Sequence, residues 1–184
     1  LKERFSCVTA NGDQAAQMAT QHLIDTGSRR IAFIGGPNHL DMVQRRKHGY
    51  LEALRENQIP IERELVKCGS IDYDAVLSNT VTLLKEQKPD AIVAFNDIIT
   101  FAAFNAIREA GLRIPDDVAL IGFTDDVHAA FVTPQMSAIV DQAHQMGATA
   151  CQLLLKNIAG DTGVYHKIVP QKLVIRGTSA KKPQ

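Results

Sequence analysis

The sequence contains no tryptophan, and aromatic residues make up only 5% of it. It has three cysteines in 184 residues and no surplus of either charge. Each shortage excludes a class of protein. Twenty basic residues against twenty acidic ones give a formal net charge of +0, so the chain carries no electrostatic footprint for nucleic acid and is not expected to hold DNA by itself. No apolar run approaches the ~20 residues that a membrane-spanning helix requires, and no membrane partner is expected. Cys7, Cys68 and Cys151 are too few and too scattered for a disulfide framework. Their odd number suits a reducing compartment, and the expected location is cytoplasmic. The opening Leu1-Lys2-Glu3-Arg4-Phe5 is neither a signal peptide nor an ordinary start. It reads as the beginning of a fragment with more protein upstream.

Enzyme motifs are missing as well. There is no Gly-x-Ser-x-Gly elbow and no phosphate loop ending in Gly-Lys-Ser/Thr. Gly35-Gly36-Pro37 follows an apolar run but lacks the later glycines of a dinucleotide fingerprint. No Cys-x-x-Cys pair offers a zinc site. Asp125, Asp126 and His128 lie close together, but adjacent carboxylates point apart, and a solvated loop is the expectation. The sequence therefore predicts no catalytic residue, no metal and no cofactor.

What is present is a regular alternation. With 45% hydrophobic and 22% charged residues, the chain can bury a core. Ile31–Ile34, Ala91–Phe95 and Val118–Phe123 are continuously apolar, as strands buried on both faces must be. Leu65–Cys68 and Ser137–Val140 are shorter candidates, and Ser6-Cys7-Val8 reads as a strand end without partners in the chain. Helices are predicted after Asn11 and Asp13, over Val43–Asn57, from an Asp72 cap to Gln87, from an Asp97 cap to Gly111, and from Asp141 to Gly160. Ile168-Val169 and Lys172–Arg176 are either an edge hairpin or two crossing strands. This order predicts an α/β fold with a doubly wound, mostly parallel sheet. Ligands of such sheets bind beyond the carboxyl ends of the strands. Gly36-Pro37-Asn38-His39, Gly69-Ser70-Ile71-Asp72, Asn96-Asp97 and Thr124-Asp125-Asp126 gather carboxylate, amide, hydroxyl and imidazole groups there, a collection suited to a polar ligand such as a sugar. Asp72 and Asp97 could instead serve only as helix caps.

Several segments together resemble a known family. They include Thr20-x-His22-Leu23-Ile24, Gly27–Pro37, Arg46-x-x-Gly49-Tyr50 and Pro89–Asp97. The most specific is Gly111-Leu112-Arg113-Ile114-Pro115-Asp116-Asp117-Val118-Ala119-Leu120-Ile121-Gly122-Phe123. Thr133-Pro134 and Leu173-Val174-x-Arg176-x-Thr178-Ser179 complete the set. In this order they resemble the effector domain of lactose-repressor (LacI/GalR) family transcription regulators, from about Val8 to Ser179. The resemblance implies a periplasmic-binding-protein-like type I fold, here a C-terminal subdomain fragment. Residues 1–9 would end the N-terminal subdomain and cross over, and 10–141 would form the C-terminal subdomain. Residues 142–160 would be a helix returning to the N-terminal subdomain, and 161–184 the crossover, last strand and tail.

The resemblance also implies a function and a site. The chain would be the effector-binding part of a DNA-binding regulator, sensing a sugar-like molecule in a cleft and controlling operator binding allosterically. Its partners would be that effector, a second copy in a homodimer, and DNA through a helix-turn-helix outside this chain. A periplasmic sugar-binding protein of a transport system is the alternative. Arg46 matches the family arginine that reaches the effector, and Asn96 and Asp97 match the cleft-facing strand end. Thr124 stands where many members carry an aspartate that Asp125 could replace. Ala10 replaces another common aspartate, with Asn11 kept beside it, and Ser70 or Ile71 replaces a stacking aromatic. These departures point away from an ordinary pentose or hexose. They point toward a larger oligosaccharide, a phosphorylated sugar or a ligand with fewer hydroxyls in that corner.

Overall fold

The apolar runs pair side by side because neither of their faces can meet water. The computed structural model describes residues 5–124 and 126–180. In chain order its elements are β1 (Cys7–Thr9), α1 (Gly12–Asp25), β2 (Ile31–Gly35), α2 (Asp41–Glu56), β3 (Val66–Cys68), α3 (Tyr73–Gln87), β4 (Ala91–Ala94), α4 (Asp97–Glu109), β5 (Ala119–Phe123), the single turn α5 (Asp126–Ala129), β6 (Ser137–Val140), α6 (Ala143–Ile158), β7 (His166–Ile168) and β8 (Lys172–Val174). A 3₁₀ turn, Arg63–Leu65, leads into β3. The chain divides into two units, Leu1–Asn11 with Asp141–Lys172 and Gly12–Val140 with Leu173–Gln184.

In the larger unit the sheet runs in the order β3-β2-β4-β5-β6-β8. The first five of these strands are parallel, with Phe33 beside Val93 and Val93 beside Ile121. Every residue of β2, β4 and β5 is buried. Side chains alternate across the sheet, so each strand feeds two cores. Phe33, Val93 and Ile121 join Ala19 and Leu23 of α1 and Tyr50 and Leu54 of α2. Ile34, Ile92 and Leu120 join Leu83 of α3 and Ile99 and Ile107 of α4. The chain leaves β2 toward β3 and leaves β4 toward β5. The connections part between β2 and β4, which places the ligand crevice of a doubly wound sheet at those carboxyl ends.

The smaller unit corrects one expectation. Ser6-Cys7-Val8 does have a partner: β1 pairs in parallel with β7, Cys7 opposite His166. Ser6 Oγ accepts from Tyr165 N at 3.0 Å, and Thr9 O accepts from Val169 N at 2.9 Å. The partner lies far along the chain and is three residues long, so no local pattern announces it. β7 and β8 lie in different sheets, which makes them two crossing strands rather than a hairpin. Residues 126–129 form a helical turn where a loop was expected.

A polar network fastens the last strand of the larger unit to α1. Ser137 Oγ donates to Arg176 O at 3.0 Å and accepts from Arg176 N at 2.8 Å and Ser179 Oγ at 2.7 Å. The Ser179 proton is thereby used, so His22 Nε2, 3.0 Å from Ser179 Oγ, is the donor. Burial holds the His22 pKa below its ordinary 6.5, against the opposing pull of Ser179 and Asp25. A lowered folded pKa means that the unfolded chain binds the proton first. The His22 contribution to stability is thus complete above about pH 6.5 and is lost as pH falls toward the folded pKa. Thermal unfolding of wild type and His22→Gln, compared at several pH values, is expected to show a flatter profile in the variant below that point.

Candidate functional site

Four strand ends of the larger unit open onto one rim. Arg46 reaches it from the second turn of α2. That turn faces inward, and Arg46 is only 7% exposed. A buried guanidinium needs partners. Arg46 Nη1 donates to the Phe95 carbonyl, just past β4. The guanidinium carbon lies 3.8 Å from the Phe123 ring centroid and 4.9 Å from that of Phe95. Charge over an aromatic face is attractive, and Arg tolerates such stacking because its cation is flat and weakly hydrated. Arg46 is thus held across the ends of β4 and β5 by a carbonyl and two rings.

Asp97 and Thr124 meet beside it. Thr124 follows β5 and is 5% exposed, and its hydroxyl donates to Asp97 Oδ1. Asp97 is exposed at the first residue of α4, where the helix dipole favours a carboxylate. The cap of that helix is Asn96, not Asp97 as the sequence suggested: Asn96 Oδ1 accepts from Ile99 N at 3.0 Å. The Asn96 carbonyl oxygen is spent on the helix, and its Nδ2 donor remains for a ligand. At α3 the cap is Asp72, as expected, accepting from Ala75 N at 3.0 Å.

Ser70 and Ile71 supply the other side of the rim. Ser70 Oγ accepts from Asp72 N at 2.9 Å, which leaves its proton to donate. Ile71 is 45% exposed. A Cβ at Gly36 would stand 3.0 Å from Ile71 Cγ2 and 3.4 Å from the Phe95 ring. The missing side chain at Gly36 is what allows Ile71 and Phe95 to close on the same spot. The structure therefore brings Arg46, Asn96, Asp97, Thr124, Ser70 and Ile71 to one end of one sheet. Asn11 belongs to the smaller unit and is half-buried, and Asp125 lies outside the described residues. Sequence reasoning did not assign Phe95 and Phe123 to Arg46. The signal was the register: Ala94 pairs with Gly122, which sets the next residues, Phe95 and Phe123, side by side.

This set offers donors, a carboxylate and an apolar floor, and it suits binding. Among the described residues no group of three or more His, Cys, Asp and Glu could hold a metal ion. The profile of the periplasmic binding protein-like domain matches residues 20–179. The chain belongs to that family. The chain is 34% identical over 162 residues to the HTH-type transcriptional regulator CelR of Thermobifida fusca, covering 88% of this chain and 48% of CelR. The structure of a CelR–cellobiose complex matches with a TM-score of 0.87 and 32% identity, over 96% of this chain and 54% of that one. A LacI-family regulatory protein from Chloroflexus aggregans matches with a TM-score of 0.89 and 30% identity, over 96% and 64%. The relatives are thus LacI-family transcriptional regulators, and the chain spans about half the length of the curated ones. This favours a regulator over a transport protein. No described helix is long and apolar enough to cross a membrane.

Proposed function

We propose that this chain is the effector-binding part of a LacI-type transcriptional regulator, located in the cytoplasm, and that it senses a sugar or a related small polar molecule without transforming it. The observation that carries the reading is Arg46, buried across the ends of β4 and β5 at the switch point, in a chain whose relatives include a regulator in complex with cellobiose. The Phe95 carbonyl and the Phe95 and Phe123 rings restrict the Arg46 side chain, which limits the side-chain freedom that binding must remove. Asn96, Asp97 and Ser70 present hydrogen-bonding groups for hydroxyls, and Ile71 offers an apolar contact in place of an aromatic. Asn11 and Asp125 complete the set in this reading.

The smaller unit then belongs to the N-terminal subdomain and the larger one is the C-terminal subdomain. Effector closes the cleft between subdomains, and in a homodimer that movement repositions two DNA-binding heads. Effector and operator affinities are coupled reciprocally, by about 1–3 kcal/mol in typical cases. The test titrates the chain calorimetrically with cellobiose, glucose, ribose and glucose 6-phosphate. It then measures operator affinity of the full-length regulator with and without the sugar that binds. A change of about 5–150-fold is expected. An unchanged operator affinity under saturating sugar would refute the regulatory reading.

A further inference from the structure

Gly122 decides what stands beside Thr124. A Cβ at Gly122 would stand 2.2 Å from Thr100 Cγ2 and 2.3 Å from Thr100 Oγ1. The missing side chain therefore lets the first turn of α4 press onto the end of β5. Thr100 is fully buried there, and its hydroxyl donates to the Asn96 backbone carbonyl at 2.6 Å. The same approach carries Asp97 alongside Thr124, 27 positions away, where the Thr124 hydroxyl donates to Asp97 Oδ1. The two partners differ in exposure. Thr124 is buried and Asp97 is exposed. Asn96 already caps the helix through Ile99 N, so the Asp97 carboxylate is not what closes the end of α4.

A buried hydroxyl must place its proton on a partner, and here the partner is a carboxylate at the surface. A carboxylate only accepts hydrogen bonds, at about four lone-pair positions. The Thr124 proton occupies one of them and fixes the direction of the group. The pair divides two tasks: the buried residue supplies orientation and the exposed one supplies the charge. The positive end of the α4 dipole favours a carboxylate at this place. Resting on the reading of this rim as the effector site, we propose that Asp97 is the acceptor for effector hydroxyls and that Thr124 is a positioning residue, aiming the carboxylate without touching the effector. Specificity follows from the sign of the group. The effector must bring O–H or N–H donors to this corner, because a carboxylate or phosphate placed there would set acceptor against acceptor and like charge against like. Neighbouring hydroxyls of a neutral carbohydrate meet that demand.

The test titrates the full chain calorimetrically with cellobiose, glucose and ribose, and follows the Asp97 side-chain carboxyl carbon by NMR. Thr124→Val keeps shape and burial and removes the proton. It is expected to move the Asp97 carboxyl signal in the sugar-free chain, and to weaken whichever of the three sugars binds about tenfold. Thr124→Ser keeps a hydroxyl and is expected to restore the signal, with affinity within about threefold of wild type. Asp97→Asn is expected to weaken the same sugar about 30-fold. Adding Thr124→Val to Asp97→Asn is expected to cost less than about twofold more, because its effect travels through the carboxylate. A packing role for Thr124 would produce neither the signal change nor this coupling. Should Thr124→Val fail to fold, Thr124→Ala carries the same readouts. An unmoved carboxyl signal, sugar affinity within about twofold of wild type in Thr124→Val, or an undiminished loss on the Asp97→Asn background would overturn this proposal alone. Absence of binding by all three sugars to the wild-type chain would instead refute the effector reading, and this proposal with it.

Discussion

Arg46→Ala is expected to weaken effector binding at least about 100-fold, or about 2.7 kcal/mol, and to destabilise the fold as well. The two effects share one cause. The guanidinium bonds the Phe95 carbonyl and lies over the Phe95 and Phe123 rings. Truncation leaves a gap between two rings and removes the donor from a buried carbonyl. Losses of about 1–3 kcal/mol for the stranded acceptor and about 0.5–2 for each ring contact combine, with some relaxation, to about 2–4 kcal/mol. Arg46→Lys separates charge from shape. Lysine keeps the cation but cannot lie flat on Phe123 while bonding Phe95, so it should rescue less than a tenth of the lost affinity. Calorimetric titration and urea unfolding measure the two effects on the same samples. Affinity of Arg46→Ala within about tenfold of wild type would remove Arg46 from the site.

Gly49→Ala is expected to be among the most destabilising single-methyl additions in the chain. Gly49 lies where α2 crosses α1. A Cβ there would stand 1.9 Å from Asp13 O, 2.8 Å from Asp13 C and 3.0 Å from Gln17 N. These are backbone atoms of α1, so no rotamer change relieves the clash, and the helices must move apart. That separation loosens Ala16, Ala19, Tyr50 and Ala53, all fully buried. Alanine's better helix propensity returns about 1 kcal/mol. Overpacking without relief exceeds that, and a net loss of about 2–4 kcal/mol is expected. Gly147→Ala is the control. It sits in α6 with nothing within 4 Å of its Cβ, and it should gain about 0.5–1 kcal/mol. A drop in urea midpoint for Gly49→Ala no larger than for an exposed site would show that α1 yields easily.

Much of the fold was legible because its determinants are local. Ile31–Ile34 and Ala91–Phe95 are apolar at every position, and only strands buried on both faces require that. Asp72 announced the start of α3 because a capping carboxylate acts on the next turn. The start of α4 was legible only to within one residue. Asn96 and Asp97 are both good caps, and the choice fell to Asn96 because the backbone is still extended there. The partner of β1 was not legible, since its strand is three residues long and more than 150 positions away.

The candidate site divides in the same way. Sequence alone established the alternation of strands and helices, the strand ends where Ser70, Asn96 and Thr124 fall, and the family to which their order belongs. These follow from periodicity, capping and chain order, which act between neighbours. Tertiary structure alone decided that Arg46 is buried against Phe95 and Phe123, that Thr124 donates to Asp97, and that Gly36 lets Ile71 approach Phe95. Each depends on the strand order β3-β2-β4-β5, which sets residues 27 to 77 positions apart within contact, and no spacing along the chain encodes a distance across a sheet.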